Sequence, residues 1–203
     1  LLANPEEVSG TASLLNEFSV GFIDIGESVI NQTDLRQSLL LSLENDFDDL
    51  DSLASINLSE QMALYDSYGP EKLMHLQVIG TEIAEIKTSL ASYLRSPRPL
   101  YRLHMTEHSE EFNDGLAAFS IAAENAEERQ RAAQLNTMFI GAVGTATRLM
   151  DLKDSLDEGT AEILALRSEL GTVLEQQVQA PTKRQTVLEK DAAHLPPFPG
   201  LTR

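Results

Sequence analysis

Two histidines, a cluster of arginines and a run of acids are the side chains whose types and spacing could do chemistry. His104 and His108 stand four residues apart, so on a helix they share a face and can offer two imidazoles to one metal ion. A zinc-protease helix needs His-Glu-x-x-His. Here the stretch is His104-Met105-Thr106-Glu107-His108, with the acid misplaced, and Glu-x-x-His does not occur at all. The pair reads as a surface feature, and neither metal nor cofactor is assigned. Arg95, Arg98 and Arg102 are the one concentration of positive charge, with Tyr93, Tyr101, His104 and His108 near them. Guanidinium forks match carboxylates and phosphates, and tyrosines add donors and apolar walls. Arg95, Arg98, Tyr101, Arg102 and His104 are therefore the expected binding spot for a small anion. The competing reading pairs these arginines with helix C-terminal carbonyls and neighbouring acids. Arg129, Arg131 and Arg148 offer similar charge further along.

Glu44, Asp46, Asp48, Asp49 and Asp51 are dense enough to suggest a cation loop. Calcium loops need a glycine turn, whereas Phe47 and Leu50 keep a helical period through the cluster, so it reads as a solvated helix face. His75 invites comparison with phosphotransfer bundles, but their His-x-x-Lys-Gly is not matched: the lysine is missing and Gly80 comes one residue late. Gly141-Ala142-Val143-Gly144 lacks the strand before it and the Gly-Lys-Ser/Thr after it that a phosphate loop requires. No nucleophile–base pair stands out. The chain reads as a binding or structural protein, not an enzyme.

The elements that must position these residues are helices. Val8, Ala12, Leu15, Phe18, Phe22, Ile25 and Val29 step by three and four. So do Leu76, Ile79, Ile83, Ile86, Leu90 and Tyr93, and again Leu135, Phe139, Ala142, Ala146 and Leu149. Such steps draw one stripe on an α-helix, and strand-like alternation is missing. Asn4-Pro5-Glu6-Glu7 has the form of a helix start. Asn31 to Asp34 is either a second cap or a polar patch in one long helix, and Asn57-Leu58-Ser59-Glu60 is a further capping signal. Gly69-Pro70 and Ser96-Pro97-Arg98-Pro99 are breaks. A long helix is expected from about Glu124 to Gln179, where Gly159 is a candidate bend. Pro181 is expected to end it, leaving 181–203 as a proline-rich tail, loosely docked at most. The fold class is all-α: an elongated antiparallel bundle of four to six long helices over 1–180, in one module or two stacked ones.

With 203 residues, 42% hydrophobic content and 5% aromatics, the chain can build a core of Leu, Ile, Val and Ala. The net charge is −17, and Arg36 is the single Lys or Arg in residues 1–70. Such a surface repels phosphate backbones and anionic lipid heads, which disfavours nucleic acid. With no cysteine, thiolate metal sites and disulfides are excluded. No apolar run reaches the length needed to span a bilayer.

Capped long helices, short connections, an acidic surface and no catalytic set resemble the extracytoplasmic sensory domains of chemoreceptors and membrane histidine kinases. The resemblance covers the architecture of residues 4–179 and implies a periplasmic or otherwise extracytoplasmic domain attached to a membrane receptor. It implies a small ligand bound between helices, a signal carried by helix packing, and dimerisation along the bundle axis. The starting residue Leu1 is read as an excised domain or a processed product, and the first fits a domain cut from between membrane segments. The proline-rich tail departs from that pattern. The rival expectation is a structural or adaptor bundle that docks a protein partner and takes no small ligand.

Overall fold

The computed structural model describes residues 5–63 and 70–193, with side chains for 10, 12–63 and 70–176. Among them there are four α-helices and no strand: α1 Pro5–Ala63, α2 Pro70–Arg95, α3 Pro99–Ala122 and α4 Ala126–Ala193. No helix among the described residues is long and apolar enough to cross a membrane. The chain divides into two compact units, one of Leu1–Ser28 with Gly159–Arg203, the other of Val29–Glu158.

The Val29–Glu158 unit is an up-down-up-down four-helix bundle, and its polar pairs fix the directions. Gln61 meets Glu128 while Gln32 meets Ser155, so α1 and α4 run antiparallel. Lys72 meets Glu128 while Tyr93 meets Asp154, so α2 and α4 run parallel. Glu82 meets His108 and Tyr93 meets Arg102, so α2 and α3 form a hairpin. Pro97 lies in its three-residue connection, and Pro99 takes the first helical position of α3, where a missing N–H costs nothing.

Within this unit the apolar stripes become the core. Leu76, Ile79, Ile83, Ile86, Leu90 and Tyr93 are all buried, as are Leu135, Phe139, Ala142, Ala146 and Leu149. Both series alternate steps of three and four, the spacing that keeps a seam facing its neighbours in near-parallel bundles. Leu43, Phe47, Leu50 and Ala54 close the core from α1, and Met105, Phe112, Leu116 and Phe119 from α3. Phe112 and Phe139 stack with ring centroids 3.6 Å apart and planes 8° from parallel. Gly115 brings α3 close to α2: a Cβ there would stand 3.2 Å from Val78 Cγ1.

Among the described residues, the unit of Leu1–Ser28 and Gly159–Arg203 has two helical segments. Of its expected stripe, Phe18 is buried, Phe22 and Ile25 are half-buried, and Ala12 and Leu15 are exposed. Two helices can cover only one side of each other, so the same sequence pattern buries less here. Val8 lies outside the described side chains.

Three expected boundaries differ. The Asn31–Asp34 patch lies inside α1, where Thr33 Oγ1 donates to Val29 O at 2.7 Å. The Asn57–Glu60 capping signal is also interior: Asn57 Nδ2 donates to Leu53 O at 2.8 Å, one turn back, and does not cap. Pro181 does not stop α4, which continues to Ala193. One proline removes one hydrogen bond and crowds one carbonyl, a cost of about 3 kcal/mol. The strong helix formers that follow favour continuing the helix. Residues 194–203, with Pro196, Pro197 and Pro199, lie outside the described residues, as do Asn4 and Gly69.

Candidate functional site

The chemistry-bearing side chains of the four-helix unit gather at three levels. At the first, the short connection after α3 starts α4 through a reciprocal cap. Asn125 Oδ1 accepts the N–H of Glu128 at 2.9 Å, and Glu128 Oε2 accepts the N–H of Glu124 at 2.7 Å. The Glu128 carboxylate is turned inward, where it also accepts from Gln61 Nε2 at 3.2 Å and from Lys72 Nζ at 3.1 and 3.2 Å. Lys72 and Glu128 are both buried. Burial works to raise the Glu128 pKa. The Glu124 N–H, the Lys72 ammonium and the Gln61 amide outweigh it and hold the carboxyl below the usual range. Arg131 closes this end, pairing with Glu60 and Glu127 and donating to Asn57 Oδ1 at 3.4 Å.

At the opposite end of α2, Tyr93 donates its hydroxyl to Asp154, 2.5 and 2.6 Å from the two carboxylate oxygens. Arg102 Nε donates to the Tyr93 oxygen at 2.9 Å, and Arg102 Nη2 reaches Asp151 and Asp154, each at 2.9 Å. Its guanidinium also lies 4.7 Å from the Tyr93 ring centroid. Burial, reinforced by the bond to Asp154, pushes the Tyr93 hydroxyl above its ordinary pKa. Burial works to lower Arg102, but its bonds to Tyr93, Asp154 and Asp151 prevail and raise it.

The arginine spot expected from sequence is thus divided. Arg102 is neutralised by two aspartates, as the competing reading held. Arg95, the last residue of α2, and Arg98, the last of the connection before α3, are exposed and form no salt bridge among the described residues. Arg98 takes the cap position of α3 in extended conformation, φ −137° and ψ 137°, and the helix start has no side-chain cap. Tyr101 and His104 are half-buried; Tyr101 packs against the core, and the His104 ring stands edge-on to His108, centroids 6.4 Å apart. Arg129 Nη1 donates to Ala123 O at 3.1 Å and so finishes α3. In the acidic run, Asp48 and Asp51 face Lys87, at 4.0 and 2.6 Å, while Glu44 and Asp49 are exposed.

Midway along the α2–α3 hairpin, sequence reasoning missed a constellation. His108 Nδ1 lies 2.7 Å from Glu82 Oε2 on the facing helix. Glu111, one turn beyond His108, brings a carboxylate oxygen to the same point. One ligand-capable atom from each of Glu82, His108 and Glu111 lies within 4.8 Å of the others. Glu82 is buried at 6% exposure, and Glu111 is exposed. His108-x-x-Glu111 was visible as a local signal, but Glu82 joins only through the hairpin. The His104–His108 pair, read from sequence as a surface feature, is joined only ring edge to ring, and the polar partner of His108 is a carboxylate across the interface.

Between α1 and α4 an open groove of about 610 Å³ is lined by Leu53, Ile56, Ala133 and Met138 with Asp49, Gln130 and Gln134. No protein-family model matches the chain, and no curated protein or solved structure is significantly similar to it.

Proposed function

We propose that the chain is an extracytoplasmic sensory domain of a signal-transduction receptor, binding a small anion and passing the event on through helix packing. The observation that carries this reading is the division of labour among helices. α2 and α3 lie wholly within the four-helix unit, while α1 and α4 each belong to both units. A ligand that favours one packing of the four helices would thereby bias the two that continue. Arg95 and Arg98 are the anchoring groups this reading assigns, exposed and without a salt bridge among the described residues of a strongly acidic protein, with Tyr101, Arg102 and His104 adjoining. Arg102 would have to exchange an aspartate for the ligand, so Arg95 and Arg98 make the first contact. The domain would belong to the periplasmic or outer side of a membrane, act as a homodimer, and catalyse nothing.

The test is a thermal-shift screen of carboxylates, amino acids and inorganic anions, on the native sequence and on Arg95→Ala/Arg98→Ala. Ligand at a hundred times its dissociation constant adds about 2.7 kcal/mol of stability. The double variant should lose that response. A flat screen, or a response the double variant keeps, removes the anion reading.

The adaptor reading draws on one specific observation. Ile30, Leu35, Leu41 and Ile56 are large apolar residues of α1, each more than half exposed, and Ile56 also lines the groove. Such a face suits a helix from a protein partner. Pull-down with Ile56→Asp as the control separates it from the sensory reading.

A further inference from the structure

We propose that Glu82, His108 and Glu111 form a binding site for a divalent first-row transition metal ion, Zn²⁺ foremost. The site stands on its own residues and does not rest on the sensory reading.

Three observations converge. The first is the donor set. One imidazole nitrogen and two carboxylates suit zinc, manganese or iron, whereas calcium requires six to eight oxygens and magnesium keeps mostly water. The second is placement. His108 and Glu111 lie three residues apart on one face of α3, and Glu82 faces them from α2. The ligands therefore come from two packed helices, closely apposed at Gly115, and not from loops. The third is the buried carboxylate itself. Among the described residues no lysine or arginine pairs with Glu82, and its polar partner is His108 alone, an imidazole that can serve as a metal ligand as well as a base.

The 2.7 Å separation of His108 Nδ1 and Glu82 Oε2 is a hydrogen-bond distance. Two atoms bound to one zinc at about 2.0–2.2 Å sit further apart than that. Metal entry therefore displaces the proton held between them and needs a small rotation of Glu82 or of the imidazole. Three protein ligands leave a fourth position for water on the exposed Glu111 side, which is also the way in. The bound ion would clamp α2 to α3.

The experiment uses the full untagged chain, stripped with chelator and titrated with ZnCl₂, while the melting temperature and the bound stoichiometry are followed. Native protein should bind one ion and melt at a higher, saturating temperature, with no comparable rise from Mg²⁺ or Ca²⁺. Glu111→Gln alters an exposed residue, so its metal-free melting should match native protein. Its zinc affinity should fall by about 10–100-fold, at least the loss seen when a supporting group alone is removed. His108→Gln should abolish the response, together with the visible absorption of the Co²⁺-loaded protein. No saturating shift, a shift that Glu111→Gln and His108→Gln both retain, or an equal shift with Ca²⁺ would each overturn the site in favour of a plain histidine–carboxylate pair.

Discussion

One sequence pattern has two outcomes in this molecule. In the Val29–Glu158 unit, apolar residues at three- and four-residue steps meet helices on both sides, and Ile79, Ile83, Leu135 and Ala146 are fully buried. In the unit of Leu1–Ser28 and Gly159–Arg203, the same steps meet a single helix among the described residues, and Leu15 stays 42% exposed. Periodicity states which face of a helix is apolar. The number of neighbours decides how much of that face leaves water, and so how much each residue stabilises.

The sharpest break of that comparison is a matched pair of truncations. Phe112→Ala in the four-helix core should cost about 3–5 kcal/mol. Phe22→Ala, half-buried between two helices, should cost about 1 kcal/mol, in proportion to the smaller area it covers. Denaturant unfolding followed at both units reads the two, and equal losses would erase the distinction.

Next in size is charge burial, which among the described residues is found in the many-sided unit. Lys72→Met leaves Glu128 without its cation and should cost about 3 kcal/mol, at the low end for a broken buried pair because Gln61 and the Glu124 N–H remain. Lys72→Met/Glu128→Met should recover most of it. A double variant as weak as the single one would place the loss in packing, not in charge.

The pH dependence follows from the same networks. The folded pKa of Glu128 is depressed, so its contribution is complete above the unfolded value of about 4.3 and is lost as pH falls through the folded value. Tyr93 is raised, so its contribution is complete below about 10 and is lost as pH rises through the folded value. Melting against pH should show an acid limb that Glu128→Gln removes and an alkaline limb that Tyr93→Phe removes. Limbs that persist in these variants belong to other groups.

The smallest effects come from two glycines. At Gly21 a Cβ meets Leu166 Cδ1 at 3.5 Å, an ordinary contact, so Gly21→Ala should gain about 0.5–1 kcal/mol in the two-helix unit. At Gly115 the Val78 side chain must give way by a few tenths of an ångström, so Gly115→Ala should fall near zero. A clear gain at Gly115 would mean that the α2–α3 approach is looser than its 3.2 Å implies.

How far the sequence could be read follows from range. The core of α2 and α4 was legible because each stripe is a property of its own helix. The break at Ser96–Arg98 was legible because proline acts on its own backbone. Asn57 was misread as a cap because its side chain can serve N–H groups ahead or the carbonyl one turn behind, and burial beside Arg131 selects the second. Asn125-x-x-Glu128 was a readable cap, but nothing local announced that Glu128 would also meet Lys72. Arg102 was identified as a cationic centre, yet its neutralisation by Asp151 and Asp154 depends on how α3 and α4 align. Glu82 looks like any surface acid until α3 covers it.

The three-residue connections of the four-helix unit also have a consequence in time. The hairpins of α2 with α3 and of α3 with α4 close over short stretches of chain, and early closure costs little entropy. Gly21 and Leu166 must find each other across most of the polypeptide. That search shortens once Gln32 and Ser155 are held 3.2 Å apart, because the four-helix unit then presents the roots of both segments together. Pulsed hydrogen exchange during refolding should protect amides of α2 and α3 first, and those of residues 12–28 and 159–176 last, as a zipper started from its closed end.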